Sequence, residues 1–413
     1  MRGDARGPGS AEPLAPAVRV AAMDVLRGLA LLGILLMNLE GFAGPPAVMG
    51  AGIDPALHGL DRWADAAIYV LVQGKFIALF SLLFGAGFAV MAGRAEREGW
   101  ALGWVWWRRC IGLLLIGLTH ALLVWSGDVL VSYALCGLVL LAFREVLGGV
   151  LACVGVALFL VPPGISLLVG LGETAMASDP AWQQALQEQA AHMAALATAQ
   201  AQVYGQGDFT AATLQRLRDL GEALSVLPMT GAQVLGLFMV GTWLGPVLAQ
   251  PARHARGLAW MRCGAWPLGL VLMLGSVWLA PWIAPGRADL RVGLAAAMAA
   301  ASSLPLCLGY VGWAVRWLEG RAFLPIANLL AGAGRLALSN YLLQSLVCTW
   351  VFYGYGLGAF GLERRWQVPF ALVVFGLQLL LSRWWLARHR LGPVEWMLRA
   401  FTYARLPSRR VAG

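Results

Sequence analysis

The stretch from Ala66 to Met91 reads AAIYVLVQGKFIALFSLLFGAGFAVM and holds a single charged side chain, that of Lys75. An α-helix rises about 1.5 Å per residue, so about twenty apolar residues cross the hydrocarbon core of a bilayer, which is roughly 30 Å thick. The stretch is therefore long enough and apolar enough to predict a membrane-spanning helix.

The composition of the whole chain agrees with this prediction. Of its 413 residues, 60% are hydrophobic and 12% are charged, whereas soluble domains carry about 25% charged residues. The net charge of +9 comes from arginines in short clusters between apolar runs, which indicates membrane topology signals and no nucleic-acid partner. The six cysteines show no CxxC pair and no His–Cys ligand spacing, so neither a disulfide framework nor a metal site is predicted.

Further apolar runs predict an all-α fold, a polytopic transmembrane helical bundle of about ten spans. The ten predicted spans are Val25–Phe42, Ala66–Met91, Trp104–Trp125, Val129–Phe143, Val146–Val169, Val234–Leu248, Gly264–Ile283, Val292–Trp313, Leu336–Tyr355 and Val368–Leu386. The fourth and the sixth of these are short for a membrane crossing. The first lacks a closing small-residue cleavage pattern, so it is predicted to be a retained helix and not a removed signal peptide.

The arginines near the ends of these spans alternate from side to side. One set of loops is rich in arginine, from Arg19 through Arg94, Arg109, Arg144 and Arg253 to Arg388, whereas the opposite loops are poorer. Positive residues favour the cytoplasmic side. The pattern therefore predicts that both termini are cytoplasmic and that the protein is a multi-pass component of a bacterial inner membrane.

The chain divides into five predicted parts. They are a disordered tail over residues 1–18, a first transmembrane half over 19–171, a periplasmic helical loop over 172–230, a second transmembrane half over 231–400 and a cytoplasmic tail over 401–413. The loop contains an Ala- and Gln-rich stretch, Ala181–Val203, of good helix propensity. One or two helices are expected there, forming either a lid or a passive connector.

Charged side chains inside the spans are informative, because each costs roughly 2.5–3.5 kcal/mol at membrane depth unless it finds a partner or a wet cavity. In the first span, Asp24 and Arg27 stand three apart on one helix face, where they can pair. The pair can anchor the helix, and Arg27 can also bind a phosphate-bearing ligand from the cytoplasm. Asn38 lies near the outer end. Lys75, in the second span, either extends toward the outer surface or meets a carboxylate or a substrate anion.

The third and fourth spans form a tight hairpin through Ser126, Gly127 and Asp128. His120 precedes this turn by about two helical turns, at a depth similar to that of Tyr133. A membrane histidine is either a hydrogen-bonded packing residue or a general base or transient acyl acceptor, for which its near-neutral pKa suits it.

The ninth span opens with Arg335 and continues to a polar stripe formed by Asn340, Tyr341 and Gln344. Hydrogen bonding between helices explains such a stripe, and so does a substrate cavity. By depth, the polar groups of all spans form two layers. Asn38, Lys75, His120 and Asp128 lie in the outer half, and Asp24, Arg27 and Arg335 lie near the inner face.

Several sequence blocks, taken in order, resemble the YeiB-like proteins, a bacterial membrane family named for a domain of unknown function. The blocks are MDVLRGLALLGI at 23–34 with Asn38, GKFIALFSLLFG at 74–85, His120 with GDVL at 127–130, GRLALSNYLLQS at 334–345 and GPVEW at 392–396. The similarity covers nearly the whole chain.

The first-span pattern is also distantly similar to heparan-α-glucosaminide acetyltransferase and related transmembrane acyltransferases. That resemblance implies transfer of an acyl group from a cytoplasmic thioester, acyl-CoA or acetyl-CoA, to an envelope sugar or other small acceptor. Those enzymes carry a histidine after the first span. His58 lies in that region with a different spacing to the second span, so His120 is preferred as the catalytic histidine.

The resulting hypothesis assigns catalytic roles to His120, Asp128 and Lys75, with Arg27 near the donor phosphate. Its substrate-binding set comprises Asp24, Arg27, Asn38, Arg335, Asn340, Tyr341 and Gln344. No metal is expected, and the predicted partners are membrane lipids and a small-molecule or glycan acceptor, with a homodimer left open. A transporter or exporter of a small solute and a silent envelope scaffold are the alternatives.

Overall fold

The computed structural model describes residues 21–146, 148–283, 287, 289–320 and 323–407. These residues contain helices and connecting turns and no β-strand. Within the described ranges, seven helical segments are long and apolar enough to cross a membrane. The prediction of an all-α, polytopic membrane protein is therefore confirmed. The predicted tail over 1–18, Arg19 and the last residues of the 401–413 tail lie outside the described residues.

Seventeen α-helices lie within the described ranges. In chain order they are α1 (Ala21–Ala43), α2 (Gly59–Leu71), α3 (Lys75–Glu98), α4 (Leu102–Leu123), α5 (Leu130–Leu140), α6 (Gly148–Phe159), α7 (Val161–Met176), α8 (Pro180–Gln206), α9 (Phe209–Ser225), α10 (Leu227–Ala249), α11 (Ala255–Trp260), α12 (Trp266–Leu279), α13 (Leu290–Leu318), α14 (Leu324–Arg335), α15 (Ala337–Phe352), α16 (Arg364–Leu386) and α17 (Pro393–Tyr403).

The seven long segments coincide with predicted spans one, two, five, six, seven, eight and ten. The fourth and ninth correspond to the shorter apolar helices Leu130–Phe143 and Ala337–Phe352. The third corresponds to α4, a 22-residue helix that carries Arg108 and Arg109. The count of ten and the side of each terminus stay predictions.

The second predicted span is not one continuous helix. It is divided between α2 and α3 by Val72–Gly74, and Gly74 has a left-handed conformation with φ of 77°. Glycine adopts this conformation without the steric penalty that a Cβ atom brings. The break turns the chain so that Lys75 begins a new helix and does not continue α2.

Close backbone contacts hold the bundle together where glycines face another helix. A Cβ atom on Gly85 of α3 would lie 1.9 Å from the carbonyl oxygen of Phe238 on α10, and one on Gly241 of α10 would lie 2.2 Å from that of Leu82. Small residues allow helices to approach closely in a bilayer, where dispersion contacts replace the hydrophobic driving force. The pair α3 and α10 therefore forms a rigid wall of the bundle.

Helix α1 packs in the same way against α14. A Cβ atom on Gly28 would lie 2.0 Å from the carbonyl oxygen of Leu330, and one on Gly334 would lie 1.8 Å from that of Asp24. These contacts place the last turn of α14 beside the first turns of α1. Asp24, Arg27 and Arg335 are thereby brought to one end of the bundle.

At the opposite end of the bundle, a buried ionic cluster joins three helices. Arg364 at the start of α16 contacts Asp65 of α2 at 2.8 Å and Glu40 of α1 at 3.1 Å. Its guanidinium also donates to the side-chain oxygen of Gln367. Two carboxylates thus neutralise the buried arginine, and the cluster ties α1, α2 and α16 together.

Candidate functional site

A cavity of about 310 Å³ lies between α1, α3, α4, α5, α14, α15 and α17. Along α3 its wall runs from Phe80 to Met91, about 16 Å at 1.5 Å per residue. Pockets for small ligands measure roughly 300–1,000 Å³, so this one is near the lower limit. It is polar at one end and apolar along most of its length.

The polar end is rich in arginine. Arg27, Arg109, Arg335 and Arg399 line it together with the carboxylates of Asp24 and Glu395, so positive groups outnumber negative ones by four to two. Asp24 and Arg27 form the ion pair predicted from the sequence, with their charged atoms 3.0 Å apart. The arginine alternation predicts that this end faces the cytoplasm. An excess of positive charge in a concave site attracts anions.

Arg109 lines the cavity, a role that the sequence interpretation missed. It was interpreted as a topology signal, yet its guanidinium lies about 6 Å from the ring centroids of Phe84 and Trp106 in the cavity wall. A guanidinium over aromatic faces gains cation–π attraction while its donors remain available to a ligand. Its position as the eighth residue of α4, beyond Trp104 and Trp106, was the available sequence signal.

Glu395 closes the polar end from α17. One carboxylate oxygen accepts hydrogen bonds from the backbone N–H groups of Leu338 and Ser339, at 2.8 and 3.0 Å. The other oxygen accepts from the Ser339 hydroxyl at 2.5 Å. A carboxylate at a helix N-terminus satisfies free donors and interacts favourably with the helix dipole. The block GPVEW therefore contains a side chain that caps α15.

The apolar end of the cavity reaches Val129, Leu130 and Tyr341. Tyr341 packs against the ring of His120, with the ring centroids 5.2 Å apart. Its hydroxyl accepts a hydrogen bond from the backbone N–H of Val129, at 3.4 Å. Tyr341 therefore joins the cavity wall to the histidine, which the structure places just outside the lining.

His120 and Asp128 form a buried pair. The His120 Nδ1 atom lies 2.6 Å from an Asp128 carboxylate oxygen, and the two side chains are 2% and 1% exposed. The second carboxylate oxygen accepts from the backbone N–H of Val131 and so caps α5. An ionised carboxylate only accepts, so this contact suits a proton on Nδ1; in the neutral imidazole with that tautomer, Nε2 holds the lone pair. In the described part of the chain, Nε2 is buried without a hydrogen-bond partner.

Two helices occupy the predicted periplasmic loop and cover the turn that carries Asp128. The Tyr204 hydroxyl of α8 lies 3.4 Å from the Ser126 hydroxyl in this turn, and it donates to Asp219 of α9 at 2.5 Å. Burial raises the pKa of Tyr204, so the phenol stays protonated and donates. Arg216 of α9 donates to the Leu123 carbonyl. Helices α8 and α9 thus pack against the turn between α4 and α5, and the choice between a lid and a passive connector stays a prediction.

The side chain of Lys75 contacts residues other than His120 and Asp128. Its ammonium group donates to the Tyr69 carbonyl at 3.0 Å and contacts the Met273 sulfur at 3.3 Å. The side chain is 2% exposed, so it does not extend to the surface. Asn38 is also buried, and neither residue lines the described cavity. Their assigned site roles stay predictions that these placements do not favour.

Asn340 and Gln344 lie between α15 and α16. Asn340 donates to the Ala333 carbonyl and to Ser382, and Gln344 donates to Gln378 at 2.9 Å. Gln378 in turn donates to the Asn340 carbonyl. Neither Asn340 nor Gln344 lines the cavity, whereas Tyr341 does. The arrangement corresponds to hydrogen bonding between helices, and their role in binding substrate stays a prediction.

Metal-ligating side chains are dispersed. Throughout the ranges that the structure describes, no group of three or more His, Cys, Asp and Glu side chains is placed to hold a metal ion. Cys110, Cys136, Cys307 and Cys348 are buried as free thiols. The chemistry that the described site offers is therefore that of imidazole, carboxylate and guanidinium groups.

Comparison with known proteins gives one family match and several full-length relatives. The family described as "Protein of unknown function (DUF418)" matches residues 245–405, which include α15 and α17 of the site. "Uncharacterized protein YxaH" of Bacillus subtilis (strain 168) is 32% identical, over 95% of this chain and 96% of the relative. "Uncharacterized protein YeiB" of Escherichia coli (strain K12) is 31% identical, over 93% and 96%.

No solved structure matches the chain. The two similarities cover 95% and 93% of this chain, so they extend well beyond the range 245–405 of the family match. The resemblance to the YeiB-like proteins is therefore confirmed, and the chain belongs to the YeiB-like family of membrane proteins.

Proposed function

We propose that this protein is an acyltransferase of the bacterial inner membrane. It moves an acyl group from a cytoplasmic thioester donor to an envelope sugar or another small acceptor. The observation that supports this most is the cavity, because it extends from an arginine-rich end to the wall of the His120–Asp128 pair. Such a path connects a cytoplasmic anionic donor with a nucleophile or base near the outer face.

The donor in this proposal is acyl-CoA, and the cavity fits part of it. Arg27, Arg335 and Arg399 would hold its phosphates, and the apolar wall at Phe80 and Phe84 would receive the narrow pantetheine arm. A volume of about 310 Å³ suits the arm alone, which leaves the nucleotide at the arginine end. The donor supplies an activated acyl group.

The chain's own residues provide the base. Asp128 holds Nδ1–H of His120, which fixes the ring orientation and directs the lone pair of Nε2 to a reacting group. As a base, Nε2 takes the proton of the acceptor hydroxyl or amine and returns it to the leaving thiolate. As a transient acceptor, Nε2 takes the acyl group itself. Asp128 stabilises the imidazolium in either case.

Tyr341 has a positioning role in this proposal. Its ring contacts both the cavity and the His120 ring. Rotation of Tyr341 would open the cavity to Nε2, whereas its observed position keeps the imidazole buried. A buried histidine excludes water, which would otherwise hydrolyse a reactive acyl group.

The test uses purified full-length protein in lipid nanodiscs with radiolabelled acetyl-CoA. The expected results are saturable binding and either release of free CoA or retention of label on His120. A matched control is Arg316→Gln, because Arg316 is an exposed arginine of α13 paired with Glu319. Absence of binding, of labelled histidine and of transfer to any glycan acceptor would reject the enzyme. Solute flux without donor binding would favour a transporter.

A further inference from the structure

Arg216 of α9 is a fully buried arginine on the outer side of the molecule, with 0% of its surface exposed. Its guanidinium donates only to neutral oxygens. These are the Leu123 carbonyl at 3.4 Å, the Thr213 hydroxyl at 3.3 Å and the Tyr355 hydroxyl at 2.8 Å. In the described part of the chain it forms no ion pair, and its Nε atom has no hydrogen-bond partner.

Arg364 provides the contrast within the same molecule. That buried arginine lies on the same side and is neutralised by the carboxylates of Asp65 and Glu40. A buried charge without a counter-ion costs several kcal/mol, and arginine cannot avoid the cost by losing its proton. Arg216 therefore has the electrostatic character of a site that a ligand anion completes.

The one carboxylate near Arg216 on its helix is already engaged. Asp219 accepts from Gln200 and Gln215 through one oxygen, at 3.0 and 2.9 Å, and from Tyr204 through the other. The two carboxylate oxygens of Asp219 thus accept three hydrogen bonds from other side chains. The charge of Asp219 lies close by, but its oxygens accept from two side chains of α8 and from Gln215 of α9, and not from Arg216.

Two other buried donors belong to the same region of the molecule. Trp125 and Tyr353 are both fully buried, and the Trp125 indole nitrogen and the Tyr353 hydroxyl have no hydrogen-bond partner among the described residues. The guanidinium carbon lies 5.8 Å from the Tyr353 ring, and Tyr353 stacks on Tyr204, which contacts Ser126 beside Trp125. Three unsatisfied donors thus lie within a few side chains of one another.

We propose that Arg216, Trp125 and Tyr353 form an extracytoplasmic site for the carboxylate or phosphate group of a small molecule, which enters when α8 and α9 move away from the turn between α4 and α5. The site adjoins the turn that bears Asp128. A molecule bound there lies beside the His120–Asp128 pair, on the side opposite the donor cavity. Identifying that molecule as the acyl acceptor rests on the proposed acyl transfer, whereas the anion binding does not.

The experiment measures binding without any acyl donor, so its failure is distinct from failure of the proposed function. Full-length protein in nanodiscs is titrated with D-glucuronate, glucose 6-phosphate and neutral D-glucose, following heat release and the thermal unfolding midpoint. Glucuronate, glucose 6-phosphate or both are expected to bind and raise the midpoint, and glucose is not. The two acidic probes distinguish a carboxylate site from a phosphate site. Equal behaviour of all three sugars would overturn the proposal.

Substitutions of Arg216 test whether the acidic sugars bind at the proposed site. Arg216→Gln is expected to weaken binding of the acidic sugar at least tenfold, because a charge-assisted, bidentate contact is lost. Arg216→Lys keeps the charge and is expected to lose only a few-fold, which provides a readout if the glutamine variant does not fold. Arg218→Gln, an exposed arginine on the same helix, is the control and should bind as wild type. Undiminished binding by the Arg216 variants would also overturn the proposal.

Discussion

Two groups of polar residues lie within the predicted spans, and they differ in which polar atoms have no hydrogen-bond partner. Between α15 and α16, the amide donors of Asn340, Gln344 and Gln378 are all bonded within the protein, although the Gln344 side-chain oxygen has no partner. In the His120–Asp128 pair, the Nε2 lone pair remains, and the pair adjoins a cavity through a tyrosine ring. Each group thus leaves one acceptor without a partner among the described residues, but only Nε2 belongs to a titratable side chain beside a cavity.

Spare bonding capacity beside a cavity distinguishes functional from structural polar residues in a membrane bundle. A network whose donors are satisfied by neighbouring helices holds those helices together, and it needs no ligand. A titratable group with spare bonding capacity beside a cavity is a candidate for chemistry. Substitutions in the first group should therefore change stability, and substitutions in the second should change reactivity.

The largest expected effect comes from His120→Ala. Removal of the base should lower acetyl-CoA turnover by about 10²- to 10⁴-fold, the usual contribution of general acid–base catalysis. Turnover is measured as release of free CoA thiol by purified protein in nanodiscs. The matched control is Gln344→Ala in the other group, which should keep turnover. Equal turnover of His120→Ala and wild type would remove the distinction between the two groups.

Asp128→Asn should have the next largest effect. Asparagine can still cap α5 through its side-chain oxygen, so the unfolding midpoint should change little. It cannot stabilise an imidazolium by charge, and a hydrogen bond to a charged group contributes roughly 1.5–3 kcal/mol, or about ten- to a hundredfold in turnover. A variant that loses stability and keeps its turnover would assign Asp128 to capping alone.

Arg27→Gln sharpens the assignment of the arginine-rich end. Because the Arg27 side chain is 27% exposed, its contribution to anion binding is screened by solvent. Charge-assisted hydrogen bonds supply the attraction between the arginine and the donor phosphates. The substitution is therefore expected to raise the dissociation constant for acetyl-CoA roughly three- to tenfold, measured by equilibrium dialysis. Unchanged affinity in this variant, or an equal loss in Arg316→Gln, would contradict a donor site at this end.

The smallest effect is expected in the α15–α16 network. Gln378→Leu removes its bonds to Gln344 and to the Asn340 carbonyl, and interhelical hydrogen bonds in membranes contribute about 0.6 to 1.7 kcal/mol. Unfolding in detergent should show a loss of that order, with turnover per folded molecule unchanged. A large loss of turnover without a loss of stability would move this network into the functional group.

The sequence predicted the elements and contacts that are local in the chain. Apolar runs located the long helices because length and hydropathy suffice for membrane insertion. The Asp24–Arg27 pair followed from the spacing of three residues on one helix. The division between α2 and α3 was missed, although the glycine at position 74 within an apolar run was a signal that one helix could end there.

Contacts between distant parts of the chain could not be predicted in this way. Arg109 was grouped with the topology arginines, since every interfacial arginine satisfies that rule equally well. Glu395 caps a helix that begins 58 residues before it, and Tyr341 reaches His120 from the other half of the chain. Such pairings depend on how helices pack, which hydropathy and local spacing leave open.

The most direct test of the central claim is the side from which the donor binds. Labelled acetyl-CoA, which is charged and does not cross lipid, is added to sealed inside-out and right-side-out membrane vesicles containing the wild-type protein or the Arg27→Gln variant. A donor site on the cytoplasmic side predicts saturable binding to inside-out vesicles, weakened by the substitution, and none to right-side-out vesicles. Binding from the outer side, or from neither side, would contradict it.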